Sequence, residues 1–151
     1  MIKIICVGKL KENYLKEAVS EYSKRLSKYT KLSIIELNDI SNTDINTIIK
    51  KEEEEILKHL ENKDYVIVLD IDGQNINSMD FAKKISNTFI GYSNISFVIG
   101  GSYGLSDKIK SLANYKLSFS KMTFPHQLFR VMLLEQIYRS FKINNNEEYH
   151  K

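Results

Sequence analysis

Three short stretches of this chain, residues 2–7, 65–71 and 95–99, are apolar almost without interruption (IKIICV, YVIVLDI and ISFVI). A strand with one face in water alternates apolar and polar side chains, whereas a strand that is apolar throughout is covered on both faces, as in the interior of a parallel sheet. Between these runs the period changes. Leu15, Ala18, Val19, Tyr22, Leu26 and Tyr29 recur at the spacing of one helix face. Ile45, Ile48, Ile49, Ile56, Leu57 and Leu60 mark a second helix, and Phe81, Ala82, Ile85 and Phe89 a third. Shorter strands over 32–37 and 117–119 and a short helix capped by Ser106 fit the gaps. A long helix opens with Pro125 as its first residue and runs to about Phe141. The order β-α-β-α-β-α-β-α-β-α predicts an α/β fold: a parallel-rich sheet covered by helices on both faces. Within it, Asp72-Gly73 reads as the turn that ends the third strand. The run Lys50-Lys51-Glu52-Glu53-Glu54-Glu55 reads as a solvated helix face.

At 151 residues the chain fits one domain, 1–151, of which 142–151 form a polar C-terminal tail. Apolar residues make up 42% and charged residues 27%, close to globular averages, which excludes a disordered or collagen-like chain. The single cysteine, Cys6, lies in an apolar run and reads as a small buried hydrophobe. That usage suits a reducing, cytoplasmic compartment. No apolar stretch is long enough to span a membrane, and no His/Cys/Asp/Glu spacing suggests a metal site. Neither a membrane nor a metal is therefore expected as a partner. The net charge of +3 divides into +3 over residues 1–50 (9 basic, 6 acidic), −4 over 51–100 (5 and 9) and +4 over 101–151 (8 and 4). Basic ends around an acidic middle are compatible with a polyanionic partner.

The last helix carries Leu128, Phe129, Val131, Met132, Leu133, Leu134, Ile137, Tyr138 and Phe141 nearly all the way around its circumference. A helix apolar on every side needs cover on every side. A terminal helix on a small sheet leaves one face over, and a second copy of the chain is the expected cover, giving a twofold homodimer.

Two loops carry the chemistry. Gly100-Gly101-Ser102-Tyr103-Gly104 follows a buried strand, where ligands of open α/β sheets bind, and its glycines let a backbone approach a ligand closely. Its spacing is neither that of a dinucleotide-binding turn nor that of a phosphate-binding loop. The second loop, Ser120-Lys121-Met122-Thr123-Phe124-Pro125-His126, also lies at a strand's carboxyl end. Together with the end of strand 65–71 the two loops are expected to form one pocket. No Ser-His-Asp or Cys-His arrangement is present, and the residues alone lead to an α/β domain with a strand-end ligand site.

Further signals lie in order along the chain. They are the opening strand ending Val7-Gly8-Lys9, Leu69-Asp70-Ile71-x-Gly73, Ile99-Gly100-Gly101-x-x-Gly104, Leu117-Ser118-x-Ser120-x-Met122-Thr123-x-Pro125-His126, Arg130-x-x-x-x-Glu135-Gln136-x-Tyr138-Arg139, and the closing Tyr149-His150-Lys151. This ordered set resembles the bacterial large-subunit ribosomal RNA pseudouridine-N3 methyltransferases, a single-domain branch of the SPOUT class. The resemblance implies a doubly wound sheet with a C-terminal trefoil knot, an exception to the usual absence of threading, and a homodimer. It implies S-adenosylmethionine as cofactor, held by Leu69, Gly100, Ser120, Lys121, Met122, Thr123, Phe124 and Pro125. It implies 23S ribosomal RNA as substrate, at N3 of a pseudouridine in the helix-69 loop, on the large subunit or the assembled ribosome. His126, Arg130, Tyr149 and His150 would lie near the RNA and the transferred methyl, with the tail 142–151 ordering over the site. The chain departs from the pattern at Ser102-Tyr103, where family members often carry Pro-Glu. Two alternatives stay open: a SPOUT-fold methyltransferase acting on another RNA nucleotide, and a non-catalytic dimeric RNA-binding module.

Overall fold

A computed structural model describes residues 1–151. The chain alternates β1 (Ile2–Val7), α1 (Asn13–Leu26), β2 (Leu32–Leu37), α2 (Ile45–Leu57), β3 (Asp64–Asn75), α3 (Ser78–Gly91), β4 (Asn94–Ile99), α4 (Asp107–Leu112), β5 (Tyr115–Ser118) and α5 (His126–Asn144). The five strands form one all-parallel sheet in the order β2-β1-β4-β3-β5. Each strand pair is thus bridged by a helix crossover, as parallel pairing requires.

The doubly apolar strands behave as their composition dictates. Ile2, Ile4 and Cys6 point to one face with Ile67, Ile95 and Phe97, against Leu26 of α1, Phe81 and Ile85 of α3, and Leu133, Leu134 and Ile137 of α5. Ile5 and Val7 point to the other face with Val66, Val68 and Val98, against Ile56 of α2 and Ile109 of α4. Three helices therefore cover one face and two the other. Cys6 is fully buried, and burial pushes its thiol up to about 11, so it serves as packing. At the amino-terminal edge of the sheet, the buried Asp64 accepts hydrogen bonds from Lys3 Nζ (3.0 Å), Asn94 Nδ2 (3.1 Å), Ser96 Oγ (2.9 Å) and the Glu61 N–H (3.1 Å). Burial alone would raise its carboxyl, but these donors outweigh burial and hold it below the ordinary value.

Helix starts follow their caps. Asp44, Asn77 and Ser106 accept from the N–H of Thr47, Asp80 and Ile109, respectively. Pro125, expected as the first helical residue, is instead the cap residue of α5, and its carbonyl accepts from the Phe129 N–H at 2.9 Å. α5 lies between α1 and α3, which bury Leu133, Leu134 and Ile137, while Leu128 stays 40% exposed and Val131 and Met132 half-buried.

Two local expectations are corrected. Asp72-Gly73 does not end β3. The strand continues to Asn75, with a register shift that pairs both Leu69 and Gln74 with Leu117 of β5. Residues 70–73 bow out between these anchors, a bulge rather than a turn. Only glycine fits at 73, because a Cβ there would lie 2.8 Å from the Lys116 carbonyl and 2.9 Å from the Asp70 oxygen. The charge run in α2 is not wholly solvated: Glu52 and Glu53 are buried on the side that packs toward the sheet.

Candidate active site

The carboxyl ends of β3, β4 and β5 open into a cavity of about 370 Å³. One wall is the β3 bulge, with Leu69, Asp70 and Ile71. The second is the Gly100–Leu105 loop, and the third is Leu117 to Phe119 with the loop that follows. The size is within the roughly 300–1,000 Å³ of small-molecule sites. Leu69, Ile71, Leu117 and Phe119 give it flat apolar surface, while the backbone of the loops and Ser102, Ser118, Ser120 and Thr123 supply polar groups.

The glycine loop is tight for stated reasons. The Gly104 N–H donates to the Gly101 carbonyl at 3.1 Å, and Gly104 adopts φ +78, a conformation that side chains disfavour. A Cβ on Gly100 would lie 3.0 Å from both the Gly104 carbonyl carbon and Leu105 Cγ. Asp70, whose side chain is almost buried, faces Lys110 at 3.6 Å across the cavity floor. In the second loop Ser120 Oγ accepts from the Met122 N–H at 3.0 Å, and Phe119 packs on Phe129 with ring centroids 4.7 Å apart.

The expected site residues divide into three groups. Leu69, Gly100, Ser120, Met122, Thr123, Phe124 and His126 line this cavity together. Lys121 and Pro125 belong to the same loop but not to the lining. Arg130, Tyr149 and His150 lie elsewhere. Arg130 is fully buried: its Nη1 donates to Glu36 Oε2 at 2.7 Å, its Nη2 to the Gly8 carbonyl at 2.9 Å, and its Nε has no partner. From that position it cannot meet an RNA phosphate. It fixes the loop after β1 instead, where Glu36 Oε2 also accepts the Leu10 N–H at 2.9 Å.

The tail does not cover the cavity in this single chain. It folds back along α5. Tyr149 donates to Glu135 Oε1 at 3.0 Å and meets the Tyr138 ring edge-on at 5.0 Å. Arg139, itself paired with Glu135, stands 4.7 Å over the Tyr149 ring. Burial first, and then the bond to Glu135, push the Tyr149 phenol up to about 12. His150 Nδ1 lies 3.0 Å from Arg139 Nη1 and lines a neighbouring cavity that shares Leu117 and Phe119 with the first.

Sequence reasoning missed Asp72, because the Asp-Gly signal pointed to a turn. It also missed Lys110 and Phe129, whose helical spacing marks them only as amphipathic residues. No group of three or more His, Cys, Asp or Glu side chains is arranged to hold a metal ion, and no helix is long and apolar enough to cross a membrane.

A parallel sheet with a glycine-walled cavity at its strand ends places this chain among open α/β folds, which take their ligands at the carboxyl ends of the strands. Residues 1–150 match the family described as "Predicted SPOUT methyltransferase", and the chain belongs to that family. It is 57% identical over 157 aligned positions to a protein from Clostridium botulinum (strain Kyoto / Type A2) named "Ribosomal RNA large subunit methyltransferase H", with 99% of each chain covered. Relatives of the same name from Clostridium novyi (strain NT) and Clostridium tetani (strain Massachusetts / E88) match at the same identity and coverage. Among solved structures, "a probable methylase family protein from Haemophilus influenzae Rd KW20" superposes with TM-score 0.52 at 12% identity, over 99% of this chain and 70% of that one, a likeness of fold alone.

Proposed function

We propose that this protein transfers a methyl group from S-adenosylmethionine to N3 of a pseudouridine in the helix-69 loop of 23S ribosomal RNA, on the large subunit or the assembled ribosome. The observation that carries the reading is the strand-end cavity, in which Leu69, Gly100 and the 120–124 segment converge. The names of the relatives at 57% identity support ribosomal RNA as substrate. S-adenosylmethionine fits the residues present. The cavity is large enough for a folded nucleoside, and at Gly100 any side chain would meet the Gly104–Leu105 backbone and side chain that close the wall. Leu69, Leu117 and Phe119 would sandwich the adenine, and the backbone of 120–125 would reach its edges and the ribose.

When bound, this cofactor supplies a methyl group on a sulfonium that leaves as a neutral thioether. The chain's part is to position and to accept a proton. N3 of a pseudouridine carries a proton that must leave, and His126 at the cavity rim is the proposed acceptor. Arg130 acts through the β1–α1 loop, holding Gly8 to Leu10 beside His126, rather than by touching RNA. Tyr149 and His150 are proposed to leave α5 and close over the bound nucleotide, with Tyr149 stacking on a base. The reading includes the trefoil knot, a cytoplasmic site of action, and a twofold homodimer through α5, for which the exposed Leu128 and half-buried Val131 and Met132 offer apolar surface.

The test is calorimetric titration with S-adenosylmethionine, followed by methyl transfer to ribosomes lacking the modification and mapping of the labelled nucleotide. Gly100→Val is expected to abolish binding. Absence of binding by the unaltered protein, or methyl appearing at another nucleotide, overturns the assignment.

A further inference from the structure

The loop after β1, Gly8-Lys9-Leu10-Lys11, is pinned more firmly than a surface connection needs, since such connections are ordinarily the mobile parts of a fold. Three of its backbone groups are held by side chains of β2 and α5. The Gly8 carbonyl accepts from Arg130 Nη2 at 2.9 Å, the Leu10 N–H donates to Glu36 Oε2 at 2.9 Å, and the Lys11 N–H donates to Gln127 Oε1 at 3.3 Å. Arg130, fully buried, also bonds Glu36 at 2.7 Å and completes the frame. A buried ion pair adds little net stability and is better attested as a device that fixes one arrangement. What this frame presents is charge without a partner. Lys9 and Lys11 are exposed, and their ammonium groups make no hydrogen bond or ion pair. Other basic side chains around α5 and the cavity are committed: Arg139 to Glu135, Lys142 to Glu147 and Lys110 to Asp70. The loop meets the cavity rim at His126, whose Nε2 lies 3.2 Å from the point that a Cβ would occupy on Gly8. Asp39 comes equally close to that point but pairs with neither lysine. Lys121, also exposed and unpaired, stands on the loop that leads into His126, outside the cavity lining. Cations thus reach the rim from both loops that meet at His126.

A nucleotide whose base enters as far as His126 keeps its two flanking phosphates outside, over the rim. We propose that Lys9 and Lys11 from one loop and Lys121 from the other hold these phosphates, on a frame that Arg130, Glu36 and Gln127 keep in register with His126. The proposal rests on the reading of ribosomal RNA as substrate given above. Lysine suits the task. A point charge on a flexible stem meets a phosphate oxygen without reading a base, so these contacts set position and leave the choice of nucleotide to the cavity. Arg130 is then a positioning residue for RNA that it does not touch.

The test is filter binding of the protein to ribosomes lacking the modification, over roughly 50–200 mM salt, beside calorimetry with S-adenosylmethionine. Lys9→Ala, Lys11→Ala and Lys121→Ala should each weaken ribosome binding roughly threefold, the scale of one exposed ion pair, and the three together by roughly thirtyfold if they add. Each should make the slope of log affinity against log salt shallower by about 0.7–0.9, with cofactor affinity unchanged. Lys31→Ala, an exposed lysine at the opposite end of the sheet, should change neither. Arg130→Met, which frees the loop and removes no rim cation, should weaken ribosome binding and keep the slope. The proposal is overturned by an unchanged slope in the three lysine variants, by an equal effect of Lys31→Ala, or by a parallel loss of cofactor affinity, which would make the loop a support of the cavity alone. A slope shallower than about 1 for the unaltered protein, meaning that no phosphate is neutralised, overturns it too. An unaltered protein that binds neither S-adenosylmethionine nor ribosomes is the distinct result that removes the functional reading as a whole.

Discussion

The Arg130–Glu36 pair makes an asymmetric prediction about stability. Arg130 is fully buried, while the Glu36 side chain is 36% exposed. Removing Glu36 leaves a guanidinium in the interior with the Gly8 carbonyl as its one acceptor. Breaking a buried pair in this direction costs about 3–5 kcal/mol, and water entering where Glu36 stood brings Glu36→Ala toward the lower end. Removing Arg130 has a different balance. Arg130→Met loses the charged bond to the Gly8 carbonyl, about 1.5–3 kcal/mol. It also removes the Nε that is buried without a partner, returning about 1–3 kcal/mol, and keeps most of the side-chain volume. Glu36 retains solvent and the Leu10 N–H. The net cost of Arg130→Met is therefore about 0–2 kcal/mol, at least ~1 kcal/mol below that of Glu36→Ala. Urea unfolding followed by circular dichroism reads the difference. With a slope of about 1–3 kcal/mol per molar, the two midpoints should differ by at least ~0.3 M. If Arg130→Met proves as destabilising as Glu36→Ala, or more so, the buried guanidinium is not the expensive partner and the reasoning fails.

Gly73→Ala should destabilise the protein by about 1–3 kcal/mol, since its Cβ must displace the Lys116 backbone. It should also weaken cofactor binding, because the bulge it distorts is a cavity wall; an unchanged melting temperature counts against that close approach. Asp64 predicts an acid limb. Its folded carboxyl lies below the unfolded value of about 3.9, so it contributes stability above that pH and loses it as pH falls toward the folded value. Asp64→Asn should flatten the loss of stability measured by denaturant titration below roughly pH 4, and an unaltered acid limb would contradict the assignment.

The strands were legible because residues 2–7, 65–71 and 95–99 are apolar on both faces, and only the interior of a parallel sheet covers both. Ser106 announced a helix start because capping is local chemistry. What stayed hidden depended on distant partners. Asp-Gly signals a change of direction, but whether the chain then leaves the sheet or rejoins it was decided by Leu117, more than forty residues along. Glu52 sits in a run that reads as solvated by composition, and only the placement of α2 beneath Gly101 buries it. Arg130 looks like a phosphate ligand in a basic C-terminal third. Its counter-charge, Glu36, lies 94 positions away in the sequence, on β2. The cavity itself was foreseen in outline because both of its loops follow strands, whereas the path of the tail along α5 had no local signature.

The bulge in β3 gives the cavity two unequal sides. Residues 70–73 are tied to β5 both before and after the excursion, at Leu69 and again at Gln74 and Asn75. That side is a span fixed at both ends, and moving it means breaking strand pairing. The opposite side, from Phe119 to Phe124, belongs to no ladder and is steadied by the turn at Ser120 and by aromatic packing on Phe129. Widening the mouth on the second side therefore breaks one turn and an aromatic contact, whereas widening it on the β3 side breaks the sheet.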